Sequence, residues 1–453
     1  MEENVFASQR ASARWSVRAT IIALAAGALV LPAVAVAQPQ MAPAGPTSNA
    51  TAMAAQVRQE VNSGTLLRNH GVRPVGGASM AQVVTVAPGS TKPLATALPA
   101  GKGPADLAAA YHLPATSTST ATIAIIDAGV DATLASDLAT YRSTFGLPAC
   151  TVASGCLKLQ NFNGGAQPAP QTSRTGKEEE EEIALETSLD MDMASAACSS
   201  CHLLEISVPV AAGFSDSNTS TGEFAQATAT AAAAGAKAVS ISYGYSETTA
   251  NTSGTDLADF NKPGVAITVS TGDAGFNGGT HQDWPSDLPT VIAVGGTTLG
   301  ATTETAWSGG GSGCETRFAS ATGQPAADSA LCANHRAAAD VSADADPNTG
   351  LAVFDDDAPF SGRPDGFVVV GGTSASAPFI GGLFARAGVP ATLNGPNTLY
   401  SAASTNFRDI TSGSNQQSVR CSSFPTISAK MCTAGVGYDG PTGVGTPNGI
   451  GAF

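Results

Sequence analysis

The stretch TIAIIDAG at residues 122–129 decides the fold class of this chain. It is a short apolar run that ends in an aspartate and a small turn, which is typical of a buried strand. Four more runs of this kind follow, HLLEISVPV, AKAVSISYG, VAITVSTGD and TVIAVGG, and helical segments such as DLATYRSTFG and GEFAQATATAAAAG lie among them. This alternation predicts an α/β fold with a central, mostly parallel sheet and helices on both faces.

The N-terminal part of the chain differs in composition from this region. Basic residues precede an apolar run at 20–37 that ends in Ala-Val-Ala, which predicts a signal peptide over residues 1–37. An uncleaved membrane anchor is the alternative, but Pro32 and the cleavage pattern favour removal. Residues 38–103 are rich in Ala, Pro, Gly, Ser and Thr and are interpreted as a low-complexity leader, propeptide remnant or linker. Residues 104–453, which hold the strand and helix runs, form one predicted domain.

Charge and composition narrow the class of protein. The net charge is −15, from 36 acidic and 21 basic residues, and no basic cluster favours nucleic-acid binding. No second apolar segment is long enough to cross a bilayer. We therefore expect a secreted or periplasmic protein, monomeric and free of the membrane once the signal peptide is cut.

Eight cysteines fit an exported protein and fall as close neighbours in the sequence. Eight cysteines allow 105 pairings, and local pairing is favoured because short loops close readily. Each bridge is expected to contribute roughly 2–4 kcal/mol. The stretch CSSCH at 198–202 also fits a c-type haem attachment pattern, but we interpret it as a disulfide. The expected pairs are Cys150–Cys156, Cys198–Cys201, Cys314–Cys332 and Cys421–Cys432.

The stretch GGTSASAP at 371–378 contains a candidate nucleophile. Ser374 follows a Gly-rich turn and precedes a run that reads as helix to about Ala387. A serine hydroxyl needs a base to take its proton, and that base is commonly histidine. The five histidines, at 70, 112, 202, 281 and 335, stand in no evident base motif.

Carboxylates offer another base. Glu186 and Asp190 are four residues apart in a predicted helix and therefore share one face. Their neighbours are mostly apolar, so the pair is expected to be buried and to share a proton, although a solvated helix face is the plain alternative. Asp273 and Asp127 each close a strand, at the edge of a parallel sheet where ligand sites occur, although Asp273 also suits an ordinary turn.

Segments of the chain resemble the sedolisins, serine-carboxyl peptidases that share the subtilisin fold. They include GPADLAAAY, ETSLD, SISYGYSE, STGDAG, DVSADADPNTG, GGTSASAP and GVGYDGPTGVGTPNG, in family order from about residue 103 to 453. The resemblance implies that Ser374 is the nucleophile, Glu186 its base, Asp190 the group that orients Glu186, and Asp273 a partner of the oxyanion. An aspartate donates a hydrogen bond only when protonated, so we expect activity in acid.

The resemblance also implies how a substrate binds. Ser242, Tyr243 and Gly244 stand where the family pairs with the backbone of a peptide, so protein or peptide substrates are expected. Asp127 is predicted from its position to lie near Glu186.

A calcium loop near the C-terminus is the third implication. Asp409 and Ile410, with Gly435, Gly437 and Asp439, match the family's loop for one Ca²⁺ ion. Two carboxylates and three main-chain carbonyls suit a cation that prefers oxygen ligands. The same GVGYDG also fits a dinucleotide fingerprint, but Pro441 stands where a helix should open.

Two further stretches receive structural interpretations. The tract KEEEEEI at 177–183 is predicted to be a solvated loop or a frayed helix start, because its glutamates repel each other. The stretch DADPNTG at 344–350 partly resembles a calcium loop, but its glycine is one residue late, so a hairpin turn is predicted.

Two other functions stay open. One is a subtilase with a histidine base, for which GGTH at 278–281 is the faint signal. The other is a secreted, calcium-binding domain of this fold without catalysis.

Overall fold

A central sheet of eight strands organises the described part of the chain, in the order β10-β9-β8-β6-β3-β5-β4 with β13 added beside β9. The computed structural model describes residues 78–79, 82–84, 98–213, 218–245, 254–276, 283–357, 366–417, 419–424 and 426–453. All of them belong to one unit of the chain, residues 51–453. The strands are β1 (Ala78–Ser79), β2 (Gln82–Val84), β3 (Thr122–Ala128), β4 (Leu157–Asn161), β5 (His202–Val208), β6 (Ala238–Ile241), β7 (Tyr243–Gly244), β8 (Ala266–Ser270), β9 (Ile292–Leu299), β10 (Glu304–Ala306), β11 (Gly313–Ala319), β12 (His335–Ala338), β13 (Val341–Asp344), β14 (Leu351–Asp355), β15 (Gly366–Gly371), β16 (Phe407–Arg408) and β17 (Thr446–Pro447).

The strand pairing confirms the predicted sheet. Every pair in it is parallel except β10 with β9. Ile126 in β3 is opposite Ile241 in β6, and Ile241 is opposite Val269 in β8. The residues that follow these three strands therefore meet at one edge, where the polar turns were expected.

Helices cover both faces of the sheet, as predicted. They are α1 (Pro104–Ala110), α2 (Leu134–Thr144), α3 (Arg174–Ala197), α4 (Asn218–Ala233), α5 (Gly254–Asp259), α6 (Ala326–Ser329), α7 (Thr373–Ala387) and α8 (Asn397–Ser401). Alternate residues of β3 enter different cores: Ile125 packs in the core of α3 and α7, and Ile126 packs in the core of α4. This alternation is what a sheet buried on both faces requires.

Helices α3 and α7 pack closely against each other. At Gly382 in α7, an added Cβ would lie 2.5 Å from the Cβ of Ala197 in α3. Only glycine permits this distance, and the contact holds the helix of Glu186 against the helix of Ser374.

The prediction for the glutamate tract was wrong. Residues 177–183 lie inside α3, and Glu180 and Glu181 are 5% and 2% exposed. The helix begins earlier because Ser173 caps it, accepting a hydrogen bond from Gly176 N at 3.0 Å. Glu180 also accepts one from Gln171 N at 2.6 Å, so its buried carboxyl has a backbone partner.

The hairpin predicted at 344–350 was also wrong. Pro347–Thr349 form a single 3₁₀ turn, with Asp346 accepting a hydrogen bond from Asn348 N. The strands on either side belong to different sheets, because β13 pairs with β9 and β14 pairs with β15. The stretch is therefore a crossing between sheets.

The four expected disulfides are all formed, including the bridge within CSSCH. The signal peptide predicted at 1–37 lies outside the described residues. Among the residues that are described, no helix is long and apolar enough to cross a membrane.

Candidate active site

The candidate nucleophile stands at the junction of a strand and a helix. β15 ends at Gly371, Gly372 turns the chain, and Ser374 is the second residue of α7. Gly372 has a φ of 112°, a conformation that side-chain-bearing residues rarely adopt. The Ser374 side chain is fully buried, and its Oγ has no hydrogen-bond partner within the described residues.

Glu186 and Asp190 are both fully buried in α3, as their spacing and apolar neighbours predicted. The Ser242 hydroxyl donates to Asp190, with Oγ 2.8 Å from Oδ2 and 3.0 Å from Oδ1. The same Oγ lies 3.4 Å from the main-chain oxygen of Ser374. Ser242 therefore joins the aspartate of α3 to the start of α7. The sequence predicted a role for Ser242 in substrate binding and missed this side-chain bridge.

Asp127 completes a cluster of carboxyls with Glu186 and Asp190. It is fully buried at the end of β3. Burial, and then the negative charge of Glu186, raise the pKa of Asp127 well above its usual range. Burial, followed by the charges of Asp127 and Glu186, raises the pKa of Asp190 in the same direction. The three carboxyls are therefore close enough to oppose each other's ionisation.

Asp273 follows β8 and faces the start of α7. Its Oδ1 accepts hydrogen bonds from Thr373 N at 2.8 Å and from Thr373 Oγ1 at 2.9 Å. Its Oδ2 is buried without a hydrogen-bond partner in the described structure. Burial raises the pKa of Asp273 well above its usual range, although the bonds from Thr373 act against this. No sequence pattern indicated a role for Thr373, which directly precedes the candidate nucleophile.

The strand edge at Tyr243–Gly244 holds an extended segment of this same chain. β1 runs antiparallel to β7, with Ala78 opposite Gly244 and Ser79 opposite Tyr243. Tyr243 is fully buried, with its ring 5.1 Å from that of Phe224. The Tyr243 side chain therefore packs in the core, while its backbone pairs with β1.

The leader also pairs with β15, the strand that leads to the candidate nucleophile. β2 runs antiparallel to β15, and Gln82 is opposite Gly371, three residues before Ser374. The leader strands β1 and β2 are thus paired with the predicted catalytic domain at two strand edges.

The residues of the predicted calcium loop lie together. Gly437 N donates to Asp409 Oδ2 at 3.0 Å, and Gly435 N donates to Asp439 Oδ2 at 2.8 Å. Both carboxylates thus face the Gly435–Gly437 segment, while Ile410 is buried beside them. No group of three or more His, Cys, Asp or Glu side chains within the described ranges is placed to hold a metal. The predicted set has only two carboxylates and depends on main-chain carbonyls.

The described histidines lie at other places in the fold. His202 begins β5, at the end of the strand opposite to the edge of polar turns, and His335 begins β12. His112 contacts Asn448, with Nδ1 2.7 Å from Oδ1. His281, the histidine of the subtilase alternative, lies outside the described residues.

Comparison with known proteins supports the fold class. The family model "Peptidase S8: Subtilase family" matches residues 190–403. Kumamolisin of Bacillus sp. (strain MN-32) is 35% identical over 212 residues, which cover 41% of this chain and 35% of kumamolisin. The chain thus spans about a third of the length of that curated relative.

A solved structure is similar over most of the chain. It is Pseudomonas sedolisin, a serine-carboxyl proteinase complexed with two molecules of pseudo-iodotyrostatin. The TM-score is 0.57 at 24% identity, covering 77% of this chain and 95% of that one. The fold and the family match together define a subtilisin-like protein. Within that class, the chain is similar in sequence to kumamolisin and in fold to Pseudomonas sedolisin.

Proposed function

We propose that this chain is a serine-carboxyl peptidase that cleaves peptide bonds in acid through Ser374, Glu186 and Asp190. One observation carries the proposal: Ser374 Oγ and Asp273 Oδ2 are both buried without hydrogen-bond partners in the described structure. The two groups are linked through adjacent residues, because Asp273 is bonded to Thr373. A nucleophile and an oxyanion donor need this arrangement, since both meet the carbonyl of one peptide bond.

The chemistry follows from the protons that these groups hold. Glu186 takes the hydroxyl proton as Ser374 attacks the carbonyl carbon, and it then gives the proton to the leaving amine. Asp190, held by Ser242, orients Glu186. Protonated Asp273 donates from Oδ2 to the oxygen that becomes negative. Water then hydrolyses the acyl-enzyme by the same steps.

The proposed activity at low pH depends on the protonation of buried carboxyl groups. The pKa values of Asp127, Asp190 and Asp273 are all raised, chiefly by burial. A raised pKa keeps an aspartate protonated to higher pH, and Asp273 loses its donor proton once pH passes that value. The proposed activity is therefore present in acid and lost as pH rises.

We propose that the leader, residues 38–103, acts like a propeptide: it occupies the strand edges, at β7 and β15, where a peptide substrate would bind. β1 lies on the strand that follows Ser242, and β2 lies on the strand that leads to Ser374. Main-chain pairing of this kind suits an extended peptide substrate of little fixed sequence. Another peptide binds at these edges only after the leader has left them.

We also propose that the protein is exported from the cytoplasm. Residues 1–37 are the signal peptide, residues 104–453 are the catalytic domain, and the mature protein is a secreted or periplasmic monomer. Four disulfides support an oxidising compartment.

A matched pair of proteins tests this function. Wild type is expected to hydrolyse casein or a peptide library at pH 4, and Ser374→Ala is expected to leave the substrate uncut. Intact mass of the exported proteins should show residues 1–37 removed from both, and the leader cut only in wild type. Equal hydrolysis by the two proteins would reject the proposal, and no hydrolysis by either would favour the non-catalytic alternative.

We further propose that one Ca²⁺ ion binds Asp409 and Asp439 with the carbonyls of Ile410, Gly435 and Gly437. The facing carboxylates fit a hard cation, which would neutralise them and stiffen the loop. At a Ca²⁺ concentration about 100 times its Kd, the ion should add about 2.7 kcal/mol to the free energy of unfolding. Chelation should remove this gain in wild type.

Denaturation with and without chelator measures the effect. Asp409→Asn should respond weakly to the chelator. The matched control Asp346→Asn, in the stretch that only resembles a calcium loop, should respond as wild type does. An identical response of wild type and Asp409→Asn would contradict the calcium proposal.

A further inference from the structure

Thr373 makes an asymmetric contact with Asp273. Its main-chain N–H and its hydroxyl both bond Oδ1, at 2.8 and 2.9 Å, while Oδ2 is buried and has no hydrogen-bond partner in the described residues. The two oxygens of one carboxyl therefore have different surroundings. An oxygen that accepts two N–H or O–H donors is a poor place for a proton, because the proton would face those donors.

The Thr373 hydroxyl has a second polar contact, which leaves its hydrogen free to donate. Gly272 N donates to Thr373 Oγ1 at 3.1 Å, so that oxygen already accepts a hydrogen bond. Its own hydrogen is then available for Asp273 Oδ1. The short chain of bonds from Gly272 N through Thr373 Oγ1 to Asp273 Oδ1 runs in one direction.

The contact joins two elements that carry the proposed chemistry. Asp273 lies in the turn after β8, and Thr373 is the first residue of α7, whose second residue is Ser374. The main-chain N–H of Thr373 belongs to the first turn of α7, where donors lack partners inside the helix. Thr373 itself is fully buried. Its two bonds therefore hold the carboxyl in one orientation relative to the nucleophile.

We propose that Thr373 is a positioning residue that keeps the proton of Asp273 on Oδ2, directed to the oxyanion of the acylation step. This inference rests on the proposed function and extends it to a residue outside the Ser-Glu-Asp set. No new bond is made to Thr373 in the reaction. The proton stays with Asp273, and the oxyanion accepts a hydrogen bond from it without taking it.

Thr373→Val tests the role, because valine keeps the shape of threonine and loses the hydroxyl. We expect kcat to fall about 2- to 10-fold, as for loss of one hydrogen bond between neutral groups, with KM little changed. The hydroxyl also stabilises ionised Asp273, so its loss should move the alkaline limb of the pH–rate profile to higher pH. Thr373→Ser keeps the hydroxyl donor. It should therefore retain most of the wild-type kcat and the alkaline limb at the wild-type pH.

A matched control separates positioning from packing. Thr228 is a buried threonine in α4 whose hydroxyl bonds Phe224 O at 2.9 Å. Thr228→Val should lower stability at most and leave the alkaline limb where it is. Wild-type hydrolysis with an unmoved limb in Thr373→Val would overturn the positioning role and leave the proposed function standing.

Carboxyl titration tests the same role without turnover. In ¹³C-aspartate-labelled Ser374→Ala protein, the Asp273 resonance is the one that disappears in Asp273→Asn. Thr373→Val should shift the titration of this resonance to higher pH, and Thr373→Ser should not. An unchanged titration in the Thr373→Val protein would refute the inference even if the chain proved to have no peptidase activity.

Discussion

Glu186→Gln is expected to lower kcat/KM at pH 4 by about 10⁴-fold or more, as for removal of one member of a catalytic set that acts as a unit. Glutamine has nearly the same shape but accepts no proton from Ser374. The carboxyl belongs to α3 and is fully buried, so no water-exposed group easily replaces it. Steady-state hydrolysis of a peptide by wild type and variant measures the loss.

A second glutamate in the same helix provides the control. Glu180→Gln also replaces a buried carboxyl in α3, but its contact is with Gln171 N. We expect it to change kcat/KM little, because an amide oxygen still accepts that bond. Replacing each of the five histidines by alanine should also leave turnover intact. Loss of activity in His281→Ala, with activity kept in Glu186→Gln, would support the subtilase alternative.

Asp273→Ala should lower kcat by about 10²–10³-fold, the usual cost, about 2.7–4 kcal/mol, of removing one oxyanion donor. The aspartate must be protonated to donate, and burial raises its pKa well above the usual range. In wild type this donor is present below the raised pKa and is lost as pH rises through it. The pH dependence of kcat on a single peptide tests the assignment.

Asp273→Asn is the informative companion variant. An asparagine amide donates at every pH, so part of kcat should be retained. The alkaline limb due to Asp273 should disappear or move to higher pH. A profile in Asp273→Asn identical to that of wild type would show that another group sets the alkaline limb.

Local patterns predicted much of this fold. The apolar strand runs, the disulfides between close cysteines and the burial of Glu186 and Asp190 all follow from residues near each other in the sequence. Each depends on periodicity, loop closure or neighbouring apolar side chains.

Contacts between distant parts of the chain could not be predicted in this way. Thr373 bonds Asp273 from one hundred residues away, and Ser242, between β6 and β7, bonds Asp190 in helix α3. The glutamate tract joined α3 because Ser173 and Gln171 satisfy groups that repulsion alone would have left in solvent. Helix capping and a nearby backbone donor outweighed the repulsion between the glutamates there.

The pH dependence of the first turnover tests the central claim most directly. That claim is that carboxyl groups manage the protons around Ser374. A rapid-mixing experiment between pH 3 and 9 would follow release of the first product, which reports acylation. The account predicts the fastest acylation in acid and its decline towards neutral pH, with no acylation in Glu186→Gln. Acylation that rises through neutrality, or that persists in Glu186→Gln, would contradict the account.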